Sequence, residues 1–304
     1  MTEIVSVSQT DLKWPKYTGK VRDTYDLGDG FLLIISTDRI SAFDVIFNEP
    51  VPGKGVILNE MSKFWFSITE NVTPNHLNTK ESQTFEGGIL NLIPKHLVNR
   101  SMIVKKAERV NIECVVRGHI AGSAWDEYVN DGTINKNPVK QKFHPGDAFL
   151  DPIFTPTTKA DAGHDQSLSD DETVNLIGTD LFNALKSKSL ELFNYAYEIA
   201  KLRGMILADT KFEFGFLDGE LILIDELLTP DSSRFWDENE IQSGRFPPAY
   251  DKQFLRQWLM DKGWNQEPPP PALPNEIIIK TRDRYLEAYK RITGTELQLK
   301  KEIT

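Results

Sequence analysis

Polar and apolar residues alternate along the segment Ala208-Asp209-Thr210-Lys211-Phe212-Glu213-Phe214-Gly215. A second apolar segment follows, Leu221-Ile222-Leu223-Ile224-Asp225-Glu226, and an Asp218-Gly219 turn signal lies between the two. An alternation with a period of two predicts strands in which every second residue points to the same side. The charged residues of the first strand therefore share one face; they are Asp209, Lys211 and Glu213.

The register of this predicted hairpin determines whether Glu213 and Asp225 meet. A two-residue loop pairs Phe214 with Leu223 and places the two carboxylates on opposite faces, whereas a three-residue loop that includes Glu220 places them opposite each other on one face. Facing carboxylates repel unless a cation lies between them, and two such ligands together with nucleotide phosphates suit Mg²⁺. The alternative is a pair of acids on an ordinary solvated strand face.

The first half of the chain is rich in predicted strands, and the second half contains longer helices. Gly28 and Gly30 predict a hairpin that includes a strand at 31–36. Periodicity predicts further elements: a helix at 57–72, strands at 101–105 and 110–117, a helix at 123–130, a helix at 169–203 with a break at Ile177-Gly178, strands at 205–208 and within 211–225, and helices at 251–261 and 275–292. Residues 136–169 are polar and irregular, which is typical of a functional or disordered loop. The order of elements predicts an α+β fold.

The composition limits the classes of function. The 304 residues contain 45 acidic and 35 basic side chains, so the formal charge is −10. An acidic surface disfavours nucleic acid and anionic membranes as partners, and it allows anionic small substrates only where basic residues concentrate locally. The single cysteine, Cys114, excludes an intrachain disulfide and a thiolate metal cluster. Residues 1–10 lack the regions of a signal peptide, so a cytoplasmic protein is expected.

Several short segments combine cations with hydroxyls or acids at predicted strand ends; they are 19–22, 37–44, 117–124, 157–165 and 229–236. Each has a simpler reading as a capped loop, a helix N-cap or a basic surface turn. The chain has no GxSxG elbow, and Cys114 in a strand is a poor nucleophile, so covalent catalysis is not expected. A carboxylate pair with several cationic clusters indicates an ATP- and Mg²⁺-dependent phosphoryl-transfer site.

Two segments resemble signatures of a known family, the phosphoribosylaminoimidazole-succinocarboxamide synthases (SAICAR synthetases). The first is Ile112-Glu113-Cys114-Val115-Val116-Arg117 continuing to Ala121-Gly122-Ser123, and the second is Leu207-Ala208-Asp209-Thr210-Lys211-Phe212-Glu213-Phe214-Gly215. The likeness extends over nearly the whole chain, in the longer, fungal-like form of the family. One departure is Asn111, where the first signature usually carries proline. A proline there would only remove one backbone donor, so its absence puts no catalytic residue in doubt.

The resemblance implies a fold and a reaction. The implied fold is α+β, with a kinase-like, β-rich, ATP-binding N-terminal lobe at 1–110 and a larger α/β lobe with the substrate and metal site at 111–304, the nucleotide cleft lying between them. The implied reaction joins L-aspartate to the carboxylate of CAIR, 5-amino-1-(5-phospho-D-ribosyl)imidazole-4-carboxylate, and gives SAICAR, ADP and phosphate. It passes through an acyl phosphate, which requires no protein nucleophile.

The resemblance also implies a ligand or a catalytic role for individual residues. ATP contacts are Gly19, Lys20, Arg22 and Glu113; CAIR contacts are Arg117, Ser123, Ser233 and Arg234; aspartate contacts are Asp38, Arg39, Ser41, Lys159 and His164; Mg²⁺ ligands are Glu213 and Asp225; catalytic residues are Lys211, Asp209 and Asp165. The implied metal pair favours the three-residue loop over the two-residue turn. Asp165 is a candidate to orient the aspartate ammonium or to accept its proton.

Two other functions remain open at this stage. One is a different ATP-dependent carboxylate–amine ligase, although Arg117, Ser123 and Arg234 favour a phosphorylated substrate. The other is a catalytically silent nucleotide-binding protein, against which the intact Lys211 and Glu213 argue. The expected ligands are ATP, CAIR and L-aspartate with Mg²⁺, and the sequence indicates no obligate protein partner.

Overall fold

The structure is a computed structural model, which describes residues 5–78, 88–159, 165–242, 244–250 and 252–299. The chain divides into two compact units. Unit 1 comprises Met1–Ile68, Asn75–Ala107 and Tyr250–Thr304, and unit 2 comprises Thr69–Pro74 and Glu108–Ala249. The sequence-based boundary near residue 110 thus lies close to one junction, but the predicted continuous second lobe does not match these units, because residues 250–304 group with unit 1.

Unit 1 contains a four-stranded antiparallel sheet in the order β1-β2-β3-β6. The elements of its N-terminal part are β1 (Lys16–Thr18), β2 (Arg22–Gly28), β3 (Phe31–Ser36), β4 (Ser41–Ala42), β5 (Val45–Ile46), α1 (Lys54–Thr69), α2 (Lys95–Val98) and β6 (Ser101–Lys105). The predicted hairpin at Gly28 and Gly30 is confirmed: both glycines have φ near +80°, a conformation that other residues rarely adopt.

Buried polar contacts anchor helix α1 in unit 1. The Asp38 carboxylate is fully buried. It accepts a hydrogen bond from the Gly55 amide at 2.9 Å and forms an ion pair with Arg100 at 2.9 Å. A free amide at a helix N-terminus favours such a carboxylate. A Cβ on Gly55 would lie 2.1 Å from the Ser36 carbonyl oxygen, so only glycine allows this close approach.

Unit 2 is built on a six-stranded antiparallel sheet whose main path is β10-β7-β12-β13. Its strands are β7 (Glu108–His119), β8 (Thr133–Ile134), β9 (Asn137–Pro138), β10 (Ala148–Phe154), β11 (Thr157–Thr158), β12 (Met205–Leu217), β13 (Glu220–Ile224) and β14 (Ser233–Asp237), of which β8 and β9 form a separate ribbon. The strand predicted at 205–208 and the first of the two strands predicted within 211–225 form the single strand β12, because hydrogen bonding to β7 and β14 continues across residues 209 and 210.

The segment 136–169 is less irregular than its composition indicates. Strands β10 and β11 lie within it, and both pair with β7. Because β10 is an edge strand, Pro152 is tolerated there without interrupting a hydrogen-bonded ladder on both sides. The loop prediction was therefore wrong for 148–154 and 157–158.

The helices of unit 2 follow the sequence pattern closely. They are α3 (Ser123–Asp131), α4 (Asp170–Ile177) and α5 (Thr179–Lys201). The predicted break at Gly178 is confirmed, and Ser169 begins α4 with a capping box to Glu172. Cys114 is buried in β7, as expected for an apolar strand position; burial raises the pKa of its thiol.

Two C-terminal helices, α6 (Gln253–Asp261) and α7 (Asn275–Thr293), belong to unit 1. Leu255 and Ile277 of these helices share a buried apolar cluster with Ile40, Phe47 and Val51. This shared core explains why the end of the chain groups with the beginning. Within the described ranges, no helix has the length and apolar character needed to cross a membrane.

Candidate active site

A row of charged side chains lies on one face of the unit 2 sheet. In the strand register, Asp209 is opposite Arg117 of β7 and Arg234 of β14, and Glu213 is opposite Glu113. Lys211 lies between Asp209 and Glu213 on the same strand face, as the alternation predicts. The row has two parts, one around Asp209 and one around Glu213.

The first part is the arginine cluster, formed by Arg117, Ser123, Thr155, Asp209 and Arg234. Arg234 Nη1 donates to Asp209 Oδ2 at 2.5 Å, and Arg117 Nη1 contacts the same oxygen at 3.4 Å. Arg117 Nη2 donates to Ser123 Oγ, and its Nε donates to Thr155 Oγ1, both at 2.9 Å. Burial lowers the pKa of Arg117, although the Asp209 carboxylate opposes that effect. Two guanidiniums on one carboxylate leave this cluster with a net positive charge, which suits an anion.

The turn before α3 brings its backbone close to Arg234. Gly122 has φ +54°, which favours glycine, and a Cβ there would lie 2.9 Å from a guanidinium nitrogen of Arg234 and would displace it. Gly122 occupies the N-cap position, which leaves Ser123 in the first turn with its hydroxyl on Arg117. The simpler reading of Ser123 as an N-cap was therefore wrong.

Ser233 is separated from the arginine cluster. It is buried, and its hydroxyl shares a 2.8 Å hydrogen bond with Thr210, its partner in the register of β12 and β14. Because side chains alternate along a strand, Thr210 and Ser233 lie on the face opposite to Asp209 and Arg234. Thr155 belongs to the arginine cluster but was not among the predicted site residues. No local sequence pattern links it to Arg117, which lies 38 residues earlier.

The second part is the carboxylate–lysine cluster, formed by Glu113, Lys159, Lys211, Glu213 and Asp225. Lys159 Nζ contacts Glu113 Oε1 and Glu213 Oε1, each at 2.7 Å, and Lys211 Nζ lies 3.4 Å from Glu113 Oε1. The predicted sheet face thus gains Lys159, which follows β11, because Thr157 of β11 is opposite Glu113 in the register with β7.

The hairpin between β12 and β13 has the two-residue turn. Phe214 pairs with Leu223 and Glu213 pairs with Ile224, so the three-residue loop favoured by the resemblance was wrong. The carboxylates nevertheless interact, because Asp225 lies beyond the end of β13 and has φ +67°. This left-handed residue ends the strand alternation, so the register no longer fixes the side to which Asp225 points.

The electrostatics of the carboxylate–lysine cluster reflect crowding of like charges. Burial and the Asp225 carboxylate raise the pKa of Glu213 to about 7. Burial opposes the charged forms of Glu113 and Lys159 as well, but the two lysines lower the pKa of Glu113, and the two glutamates raise the pKa of Lys159. Among the described residues, no group of three or more His, Cys, Asp or Glu side chains is arranged to hold a metal ion. A metal here would have at most two carboxylate ligands from the part of the chain that the structure describes.

The remaining predicted contacts lie mostly in unit 1. Lys20 forms an exposed ion pair with Asp44, and Arg22 begins β2. Arg39 is buried, and its guanidinium donates to the carbonyl oxygens of Gly19, Lys20 and Arg22 and to Asp23, which fixes the loop before β2.

Of the three remaining candidates for the aspartate site, one is buried, one is exposed and one lies outside the described residues. Ser41 is buried in β4, whereas Asp165 is exposed just before α4. The prediction for His164 lies outside the described residues.

The chain is similar to known proteins over most of its length. A family model described as SAICAR synthetase matches residues 15–271. A protein from Leptospira interrogans named phosphoribosylaminoimidazole-succinocarboxamide synthase is 49% identical over 271 residues, which are 89% of this chain and 94% of the relative. A protein of the same name from Elusimicrobium minutum is 46% identical over 275 residues, 90% of this chain and 94% of the relative. A solved structure described as SAICAR-synthase from Saccharomyces cerevisiae complexed with SAICAR superposes with a TM-score of 0.87 at 38% identity and covers 96% of this chain and 99% of its own.

Proposed function

Because the chain belongs to the SAICAR synthetase family, we propose that the charged face of unit 2 carries the chemistry of that family. The chain has the α+β fold of the family and is an ATP-dependent carbon–nitrogen ligase of purine biosynthesis. It joins L-aspartate to the carboxylate of CAIR and gives SAICAR, ADP and phosphate. The roles of individual residues, the bound Mg²⁺ and the acyl phosphate intermediate are our proposals.

The observation that supports these roles is the order of charges along β12. The arginine cluster surrounds Asp209, and the carboxylate–lysine cluster surrounds Glu213. Four residues of strand separate them by roughly 13 Å, and Lys211 lies midway. A ribonucleotide with a phosphate at one end and a carboxylate at the other matches such a row. We assign the 5′-phosphate of CAIR to Arg117, Ser123 and Arg234.

The reaction must convert a poor acyl donor into a good one. A CAIR carboxylate oxygen attacks the γ-phosphorus of ATP, the bond to the β-phosphate oxygen breaks, and ADP leaves. The aspartate amine then attacks the acyl carbon, phosphate leaves, and the amine releases a proton. We assign to the Lys211 ammonium the stabilisation of charge on the transferred phosphoryl group, and to Asp165 the proton or the orientation of the amine.

Glu213 and Asp225 suit a divalent cation. Burial and the repulsion by Asp225 raise the pKa of Glu213, and the Lys159 cation already contacts Glu213, so a positive charge is favoured at this point. Mg²⁺ accepts one or two carboxylates together with water and phosphate oxygens, which agrees with the small number of protein ligands. When bound, it would neutralise charge on the nucleotide phosphates.

The roles of unit 1 residues remain proposals from the resemblance. Lys20 and Arg22, after Gly19, are proposed triphosphate contacts. Since the Arg39 guanidinium already holds the backbone of that loop, we propose that it positions these residues rather than binding aspartate. By the same argument, the buried Asp38 positions α1.

Further contacts are proposed for the nucleotide and for aspartate. Glu113 is proposed to contact the nucleotide, and Ser41, Lys159 and His164 are proposed to contact aspartate. We also propose a cytoplasmic enzyme that needs no protein partner.

A coupled ADP-release assay tests the function directly. Purified protein with ATP, Mg²⁺, CAIR and L-aspartate should release ADP and form SAICAR, and omission of either CAIR or aspartate should stop SAICAR formation. ADP release that requires neither substrate would refute the assignment. Turnover with a phosphate-free carboxylic acid in place of CAIR would support a different ligase, and ATP binding without ADP release would support a silent nucleotide-binding protein.

A further inference from the structure

Lys159 is the cation that the folded chain itself supplies to the proposed metal ligands. Its side chain is 24% exposed, and its ammonium lies 2.7 Å from Glu113 Oε1 and 2.7 Å from Glu213 Oε1. Glu213 also faces the charge of Asp225. Three carboxylates therefore surround two lysines, and Lys159 is the lysine that contacts Glu213 in the described contacts.

The contact between Lys159 and Glu213 occupies an oxygen that a metal would use. A carboxylate oxygen that accepts a short ammonium hydrogen bond cannot also coordinate a divalent cation without bringing the two cations within a few ångströms of each other. Like charges at that distance repel strongly in a partly buried site. Metal coordination by Glu213 Oε1 and the observed position of the Lys159 ammonium therefore oppose each other.

We propose that Lys159 is a resident counter-ion of the metal site, which holds the Glu213 carboxylate in place and gives way to the divalent cation. This inference rests on the proposed metal role of Glu213 and Asp225. It assigns Lys159 a positioning role before the metal binds. The displaced ammonium is then available to an anionic substrate, so metal binding and capture of the anion are coupled through one side chain.

Metal binding to the nucleotide-free protein tests this proposal without turnover. Mn²⁺ is the probe, and its free concentration is measured by electron paramagnetic resonance. Lys159→Met should bind Mn²⁺ at least about tenfold more tightly than the wild type, because the competing charge is gone. Lys159→Gln should behave similarly, and Lys159→Arg should remain within threefold of the wild type. Unchanged or weaker binding in the Met and Gln variants would overturn the proposal.

Two controls separate a local effect from a general one. Lys186→Met removes an exposed lysine of the same unit that pairs with Asp170, and it should leave Mn²⁺ affinity unchanged. The double variant Lys159→Met with Asp225→Asn should lose the gain in affinity. A gain of equal size in Lys186→Met, or its persistence in the double variant, would show that Mn²⁺ is not competing at Glu213.

A measurement on the wild type applies even if the variants fold poorly. Acetylation of Lys159 by a water-soluble acylating reagent, followed by mass spectrometry, should increase about threefold or more when Mn²⁺ is added, since the ammonium leaves the two carboxylates that hold it and becomes more accessible to the reagent. Lys186 serves as the internal reference. No change at Lys159 under saturating Mn²⁺ would overturn the proposal. Because this experiment uses no substrate, it can succeed even where the ADP-release assay fails.

Discussion

Replacement of Arg234 by alanine should chiefly weaken the use of CAIR. Arg234 and its partner Asp209 are only 12% and 13% exposed, and Arg117 contacts the same carboxylate at 3.4 Å. The variant leaves Asp209 with one guanidinium, so the net charge of the arginine cluster falls from positive to neutral. A hydrogen bond to a charged group contributes about 1.5–3 kcal/mol. We therefore expect the KM for CAIR to increase roughly 10- to 150-fold.

The assay measures KM separately for CAIR, ATP and L-aspartate with the other two substrates saturating. Arg234→Lys should be intermediate, because it keeps the charge but loses the bidentate fork. Arg245→Ala removes an exposed arginine of the same unit and should leave all three KM values unchanged. Circular dichroism and thermal unfolding establish that the variants remain folded. An increase confined to aspartate, or equal for all three substrates, would refute the assignment of the arginine cluster.

Asp225→Asn should lower kcat more than about tenfold at physiological Mg²⁺, with partial recovery as Mg²⁺ is raised, and a wild-type rate would contradict the metal assignment. Thr155→Val leaves Arg117 Nε without its acceptor and should lower the free energy of unfolding in urea by about 1–3 kcal/mol, whereas Thr155→Ser should stay within about 0.5 kcal/mol; equal effects would contradict this role. The pKa of Glu213 is raised from 4.5 to about 7, so the folded state holds a proton that the unfolded state releases, and stability should fall as pH rises from about 4.5 to 7. Between pH 4.5 and 8, the free energy of unfolding in urea should fall by at most about 3 kcal/mol more in the wild type than in the Glu213→Gln variant. Parallel pH profiles for the two proteins would contradict this prediction.

Local patterns predicted much of the fold because their physical causes are local. The break at Gly178 was predictable because glycine readily adopts a positive φ, which other residues disfavour. The shared face of Asp209, Lys211 and Glu213 follows from strand geometry alone. Residues 148–154 were assigned to a loop because an edge strand that contains Pro152 carries little alternation.

The contacts that complete the site depend on pairing between distant segments. Lys159 reaches Glu113 and Glu213 only because β11 pairs with β7 at Thr157 and Glu113. Nothing in the sequence near Lys159 specifies that register. The resemblance supplied the proposed pair of Glu213 and Asp225 but led to the wrong loop length, because the alternation argument assumed that Asp225 continues the strand.

The distribution of charge along β12 resolves the conflict between an acidic chain and anionic substrates. The two clusters together carry four cationic and four anionic side chains, so the site is not simply a basic patch on a chain of charge −10. The charges are instead segregated: two arginines surround one carboxylate at Asp209, and three carboxylates surround two lysines near Glu213. One end is therefore positive and suits a phosphate, and the other is negative and suits a divalent cation. Because salt screens exposed charges beyond about 8 Å, we expect this local polarity, and not the net charge, to determine where each ligand binds.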